Sequence, residues 1–173
     1  MATNRAIAAT STAIVGQLIA ESQRDPKLPQ CAVRLFDAER LLQPAEGAVI
    51  GVCLYRIGFS DVQPDPGLPV PDGPHLAHPM AVDLHYLVTA SAADAATSQH
   101  LLGWAISVLN ASPVLPPSVL NTSPDMDPVF EDGEAVVLVW EPLSLADLCD
   151  VWQVAAQRPA LSATYVARAI RID

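Results

Sequence analysis

The 173 residues fit one domain with its own hydrophobic core, and we predict a single domain over residues 1–173. Just over half of the residues are apolar and 16% are charged, which excludes an intrinsically disordered chain. The net charge of −10 argues against nucleic acid and against an anionic membrane surface as partners, because both attract basic patches.

Two further features indicate the environment of the protein. No apolar run approaches the about 18 residues that span a bilayer, so we expect no membrane insertion. The three cysteines are far apart and form no C-x-x-C pair, which disfavours a disulfide framework or a structural zinc site. Reduced thiols in a cytosolic protein are the simpler interpretation.

The first predicted element is an amphipathic helix over roughly residues 4–23, ended by Asp25 and Pro26. Its large apolar residues recur on one helical stripe, at Ile7, Ile14, Val15, Leu18 and Ile19. The alanine-rich start after a basic residue also allows a cleaved signal peptide. Polar residues interrupt that stretch, so we prefer the helix.

Three extended elements follow the helix. A short piece over residues 31–36 precedes a strand over 48–59, whose apolarity on both faces favours a central position in a sheet. Residues 61–79 hold many prolines, which cannot donate ladder hydrogen bonds, so we predict a stiff extended arm. Residues 80–90 alternate between apolar and polar side chains and predict a half-buried strand.

The second half alternates helices and strands. A helix over about residues 94–110 is followed by a second proline-rich connection, 114–133, with an acidic end. A strand over 134–140 leads to a helix capped by Ser144, and a last strand runs from about 161 to 172. The predicted fold class is α+β, a mostly antiparallel or mixed sheet with about three helices packed on it and two proline-rich loops.

The sequence contains no nucleotide-binding, nucleophile-elbow or metalloprotease motif, and we expect no enzyme, no cofactor and no metal. His75 and His78 form an H-x-x-H in the arm, which allows a metal pair, although solvated or interface loop histidines are the simpler interpretation. Asp125 and Asp127 begin an acidic stretch that loosely suggests calcium but lacks the required order. We prefer an acidic loop facing solvent or a basic partner.

Asp83 and His85 are two residues apart on a predicted strand and so share a face with Thr89. Such an arrangement is compatible with a general base of the Ser-His-Asp kind. The alternative is an aspartate–histidine pair in which each satisfies the polarity of the other, in the core or at an interface. Trp104, on the polar side of its helix, is a further interface candidate.

Four segments in order resemble the N-terminal domain of tail-terminator or cap proteins of extracellular contractile injection systems, the antifeeding-prophage and virulence-cassette type. The segments are Val52–Tyr55, Ala81–Thr89, Glu141–Trp152 and Leu161–Ile172, and the helix segment Leu101–Ile106 also fits. Together they extend the resemblance over almost the whole chain.

The resemblance implies an α+β domain that forms a six-membered ring, closes the inner tube and holds the last sheath ring. The implied partners are a second copy, the inner tube protein and the sheath protein, during assembly in the cytoplasm. Proteins of this family often continue past this domain, whereas the sequence ends at Asp173, which implies a minimal terminator or a companion that completes the cap. An adaptor or cargo-loading chaperone of the same system is the alternative.

From these considerations we select the residues that we expect at interfaces. They are Pro64, Pro66, His75, His78, Asp83, His85, Trp104, Asp125 and Asp127.

Overall fold

The computed structural model describes residues 5–37, 47–61, 80–122, 128–154 and 160–172. Its helices and strands follow in chain order. They are α1 (Ala6–Arg24), β1 (Ala32–Phe36), β2 (Val49–Phe59), β3 (Met80–Ser91), α2 (Ala95–Ala111), β4 (Val114–Leu115), α3 (Pro117–Leu120), β5 (Val136–Trp140), α4 (Leu145–Val154) and β6 (Ser162–Ile172). No helix in these ranges is long and apolar enough to cross a membrane.

The strands form one six-stranded sheet in the order β1-β2-β3-β6-β5-β4. β1 pairs with β2 in parallel, and all other neighbours pair antiparallel, so the sheet is mixed. The predicted α+β class is therefore confirmed. The long β2, β3 and β6 form its centre, and short strands form both edges.

The main core lies between the sheet and the helices α1 and α2. One face of β3 supplies its central row, with Val82, Leu84, Tyr86 and Val88 all buried. The hydroxyl of Tyr86 lies 2.9 Å from that of Ser11 on α1, so the buried phenol has a polar partner. Ser11 also donates to the carbonyl of Ile7, 3.0 Å away.

The first helix is confirmed, but its buried stripe is shifted from the prediction. Thr10 and Ser11 are buried, whereas Ile19 is 37% exposed. The Thr10 hydroxyl donates to the carbonyl of Ala6 at 2.8 Å, which satisfies its polarity inside the helix. Small hydroxyl residues thus let the helix lie close to the sheet without an unpaired polar group.

β3 is not the half-buried strand that its alternation predicted. His85 and Leu87, on the face predicted to be polar, are buried as well. The reason is α4, which places Trp152 against Leu87 and Cys53 on that second face. Periodicity within one strand cannot show that a helix from a distant part of the chain covers its polar side.

The predicted proline-rich connection over residues 114–133 contains two elements that the sequence did not predict. β4 is a two-residue edge strand between Pro113 and Pro116, and α3 follows it directly. Asn121, at the end of α3, donates to the carbonyl of Phe130 and accepts from the N–H groups of Val129 and Phe130 at 2.9–3.0 Å. A single amide therefore joins the two described ends of this connection.

Gly51 lies where β1 and β2 meet. A Cβ atom at this position would lie 2.9 Å from Cδ2 of Phe36 and 3.3 Å from Cγ2 of Thr89. The phenyl ring of Phe36 therefore fills the space that a side chain would need, and it attaches the edge strand to the sheet.

We predict that Gly51→Val lowers the free energy of unfolding by about 1–3 kcal/mol, because the added methyl groups must displace the Phe36 ring. Urea unfolding followed by circular dichroism measures the change. Gly103→Ala is the matched control: apart from its neighbours and the backbone of its own helix, no atom lies within 4 Å of its Cβ position, and alanine should stabilise α2 by about 1 kcal/mol. Equal stabilities of Gly51→Val and the wild type would contradict the proposed packing.

Candidate assembly surface

The two faces of the sheet are covered to different extents. α1 and α2 cover one face. On the opposite face, which we call the underside, Leu148, Val151 and Trp152 of α4 pack around Cys53 and Leu87. The described helices therefore cover one side of the sheet. On the underside they cover mainly β2 and β3.

The pairing register arranges the rest of the underside in two rows across the sheet. One row runs Arg56, His85, Val166, Val139. In the second row Gly58 pairs with Asp83 and Arg168 pairs with Val137, which pairs with Val114; the register shift between β3 and β6 separates these two groups. The exposed and half-exposed members of these rows form a surface that we call the bare underside. It consists of Arg56, Asp83, Val114, Val137, Val139 and Arg168.

Three valines form the apolar end of the bare underside. Val114, Val137 and Val139 are 49%, 43% and 37% exposed. On the same strand, Val136 and Leu138 point into the main core and are buried. β5 is therefore apolar on both faces although only one face is covered, a pattern that marks an interaction surface more often than a solvated one.

His85 belongs to a polar cluster beside the bare underside. Its Nδ1 lies 2.8 Å from Oε2 of Glu141, and the hydroxyl of Tyr55 donates to the same oxygen at 3.3 Å. Burial, followed by the nearby Glu141 charge, raises the pKa of Tyr55 to about 12, so its hydroxyl remains a donor. The cluster joins β2, β3 and the connection between β5 and α4.

Asp83 has a different partner. Its Oδ1 accepts from the backbone N–H of Ala169 at 2.8 Å, where β6 bulges against β3. Ala169 has φ of +56°, a left-handed conformation that costs a non-glycine residue about 1–2 kcal/mol. The carboxylate satisfies the N–H that this bulge turns out of the ladder and so holds the bulge in place.

The hypothesis that Asp83 and His85 satisfy each other is wrong. His85 pairs with Glu141 and Asp83 with Ala169, while the Thr89 hydroxyl donates to the carbonyl of Leu161 at 3.1 Å. The three residues therefore do not form the relay that a Ser-His-Asp arrangement needs. Asp83 and His85 nevertheless lie in adjacent rows of one surface, as their spacing predicted.

Of the other predicted interface residues, the structure describes Trp104, which is not part of this surface. Trp104 lies on α2, packed against the main core and partly exposed, on the opposite side of the sheet. The remaining six, Pro64, Pro66, His75, His78, Asp125 and Asp127, lie outside the described residues.

Sequence reasoning missed the valines of β5 and the two arginines of the bare underside. A signal for the valines was present, because Val136 to Val139 are all apolar and such a run predicts a strand covered on both faces. Arg56 and Arg168 interrupt otherwise apolar strands, but only the register shows that they share a face.

The solved structures that share this fold include two from contractile injection systems. The match to the sheath/tube terminator of an extracellular contractile injection system, PVC, in its extended state has a TM-score of 0.53 and 17% identity, and covers 95% of this chain and 55% of that chain. The match to the tube-terminating cap of the anti-feeding prophage has a TM-score of 0.50 and 17% identity, with 91% and 53% covered. The chain spans about half the length of these structures.

The fold is therefore the one found in terminator and cap proteins of contractile injection systems. The profile of the Pvc16 N-terminal domain family matches residues 9–173, and the chain belongs to that family. No protein with a curated description matches it. The resemblance that the four segments indicated is thus confirmed.

For Asp83 we predict a structural role that depends on its acceptor oxygen. Asp83→Ala should lower the free energy of unfolding by about 1–3 kcal/mol, because it leaves the Ala169 N–H without its partner. Asp83→Asn keeps an oxygen acceptor and should lose less than half as much. Chemical denaturation of both variants measures this difference, and equal losses would show that the negative charge itself matters.

For Cys53 we predict low reactivity. Burial, with a smaller effect of Asp37, raises the pKa of this thiol from 9.0 to about 11, which lowers its thiolate fraction at pH 8 about a hundredfold. Native protein treated with iodoacetamide should keep Cys53 unmodified while unfolded protein is alkylated at every cysteine. Mass spectrometry of the peptides reports both, and rapid native labelling of Cys53 would contradict its burial under α4.

Proposed function

We propose that this chain is a structural cap subunit of a contractile injection system. In this proposal six copies form a ring that ends the inner tube and holds the last sheath ring. The observation that carries the proposal is the match of the Pvc16 N-terminal domain family over residues 9–173. The shared fold with a sheath/tube terminator and a tube-terminating cap supports it.

The surface of the domain also supports an assembly role. Exposed valines on a strand whose other face is core indicate a face that a partner covers in the finished particle. The polar groups beside them have partners in the fold, since Asp83 and Glu141 both accept hydrogen bonds. We therefore propose binding rather than catalysis, and assembly in the cytoplasm before the subunit becomes part of the particle.

The second candidate function is an adaptor or cargo-loading chaperone of the same system. The net charge of −10 favours it, because an acidic surface attracts basic cargo. A chaperone would be absent from finished particles, whereas a cap would be present in a fixed copy number. Quantitative mass spectrometry of purified particles separates these two roles.

The cap proposal makes a direct prediction about particle length. In cells that produce the particle without this protein, inner tubes and sheaths should vary widely in length, because nothing stops polymerisation at the distal end. Electron microscopy of purified particles measures the distribution, and expression of the wild-type protein should restore a single length. An unchanged, narrow distribution in its absence would reject the cap role.

A further inference from the structure

We propose that the bare underside is the surface with which one copy of this chain binds the next copy in the ring. The contact covers the valines of β4 and β5 and pairs Arg56 and Arg168 with carboxylates of the second copy. This inference rests on the proposed ring, and it names the surface that builds it.

The uncovered part of the underside has the width of one packed element. The strands β6, β5 and β4 span two interstrand spacings, or about 10 Å, which is the width of one packed helix or loop. α4 fills the comparable space over β2 and β3 with Leu148, Val151 and Trp152. The valines of the bare underside form a similar apolar surface, and their side chains are 37–49% exposed.

The charge of the chain indicates which partner covers the bare underside. The chain carries 19 acidic and 9 basic residues, so two copies repel each other unless a cationic surface lies at their contact. Arg56 and Arg168 are both exposed on the bare underside. The carboxylates of the same face are already engaged, Asp83 with the Ala169 N–H and Glu141 with His85. A second copy brings unengaged carboxylates to this surface.

Charge also indicates the symmetry of the contact. A two-fold contact would bring the arginines of both copies onto one shared interface, which like charges disfavour. The bare underside therefore fits a different, acidic surface of the second copy. Exposed carboxylates on other described elements include Asp132 in the turn before β5 and Asp150 on α4. Such a head-to-tail contact closes into a ring when its rotation fits.

The surface is held rigid before binding, which reduces the entropy lost in the contact. Val166 lies between Val139 and His85 in its row. It is only 2% exposed, and its packing holds this part of the surface in place. The His85–Glu141 pair at 2.8 Å fixes the adjoining strand end, and the Asp83–Ala169 bond at 2.8 Å fixes the backbone that carries Arg168.

The test compares the wild type with the double variant Val137→Asp/Arg168→Glu. Both are studied as free protein and with tube ends, by light scattering and negative-stain imaging. Six copies of 18.3 kDa give a ring of about 110 kDa. We expect the wild type to form this ring and the double variant to remain monomeric, with a dissociation constant at least tenfold higher. Circular dichroism and urea unfolding establish that the variant is folded.

The matched control is Ile19→Asp/Arg24→Glu, which makes the same kinds of change on exposed positions of α1 on the other side of the sheet. This control should form rings like the wild type. In the Arg168→Glu background, Asp132→Lys and Asp150→Lys are then introduced one at a time. Recovery of the ring by one of them identifies the carboxylate on the second copy.

Failure of this inference differs from failure of the proposed function. If the double variant forms normal rings, the bare underside is not the contact between copies, although the cap role stands. If it forms rings but no longer ends tubes, the surface binds the tube or sheath protein, which also overturns the inference. If the wild type forms no ring either free or on tube ends, the ring and this inference are both rejected.

Discussion

β3 lies in the middle of the sheet and is buried on both faces from Leu84 to Val88, and the other elements are arranged around this constraint. Its long ladders to β2 and β6 satisfy the backbone, while α1 and α2 on one side and α4 on the other remove its side chains from water. The polar residues that β3 carries therefore need partners within the fold. Glu141 and the Ala169 N–H supply them.

These polar contacts connect the fold to its surface. The Asp83 bond sets the bulge in β6 that presents Arg168, and the His85 bond holds the chain that leads from β5 to α4. Because α4 begins so soon after β5, its ten residues cover the central strands and leave β5 and β4 with exposed valines. The surface that we assign to assembly is thus a consequence of where one short helix lies.

Local patterns predicted most of the elements, because the evidence for them is local. Ser144 caps α4 by accepting from the Asp147 N–H, as the capping-box pattern indicated, and the last strand lies within its predicted range. His85 pairs with Glu141, which is 56 positions further along the chain, and Asp83 pairs with Ala169, which is 86 positions further along. Periodicity does not detect contacts over such separations. The family could be recognised from four ordered segments, whereas the shared face of Arg56 and Arg168 required the register.

The prolines that flank β4 have a consequence for the open edge of the sheet. Pro113 accepts from the Leu138 N–H and so faces β5, whereas Pro116 faces the open edge and has no N–H to donate to a free strand beside Val114 and Leu115. Exposed valines next to an open strand edge would favour the stacking of chains into cross-β aggregates. At this edge valines are exposed, but β4 is two residues long and is followed by a proline, so it offers few backbone groups for another strand to pair with. The exposed valines can therefore lie beside an open edge with a lower tendency to start cross-β aggregation.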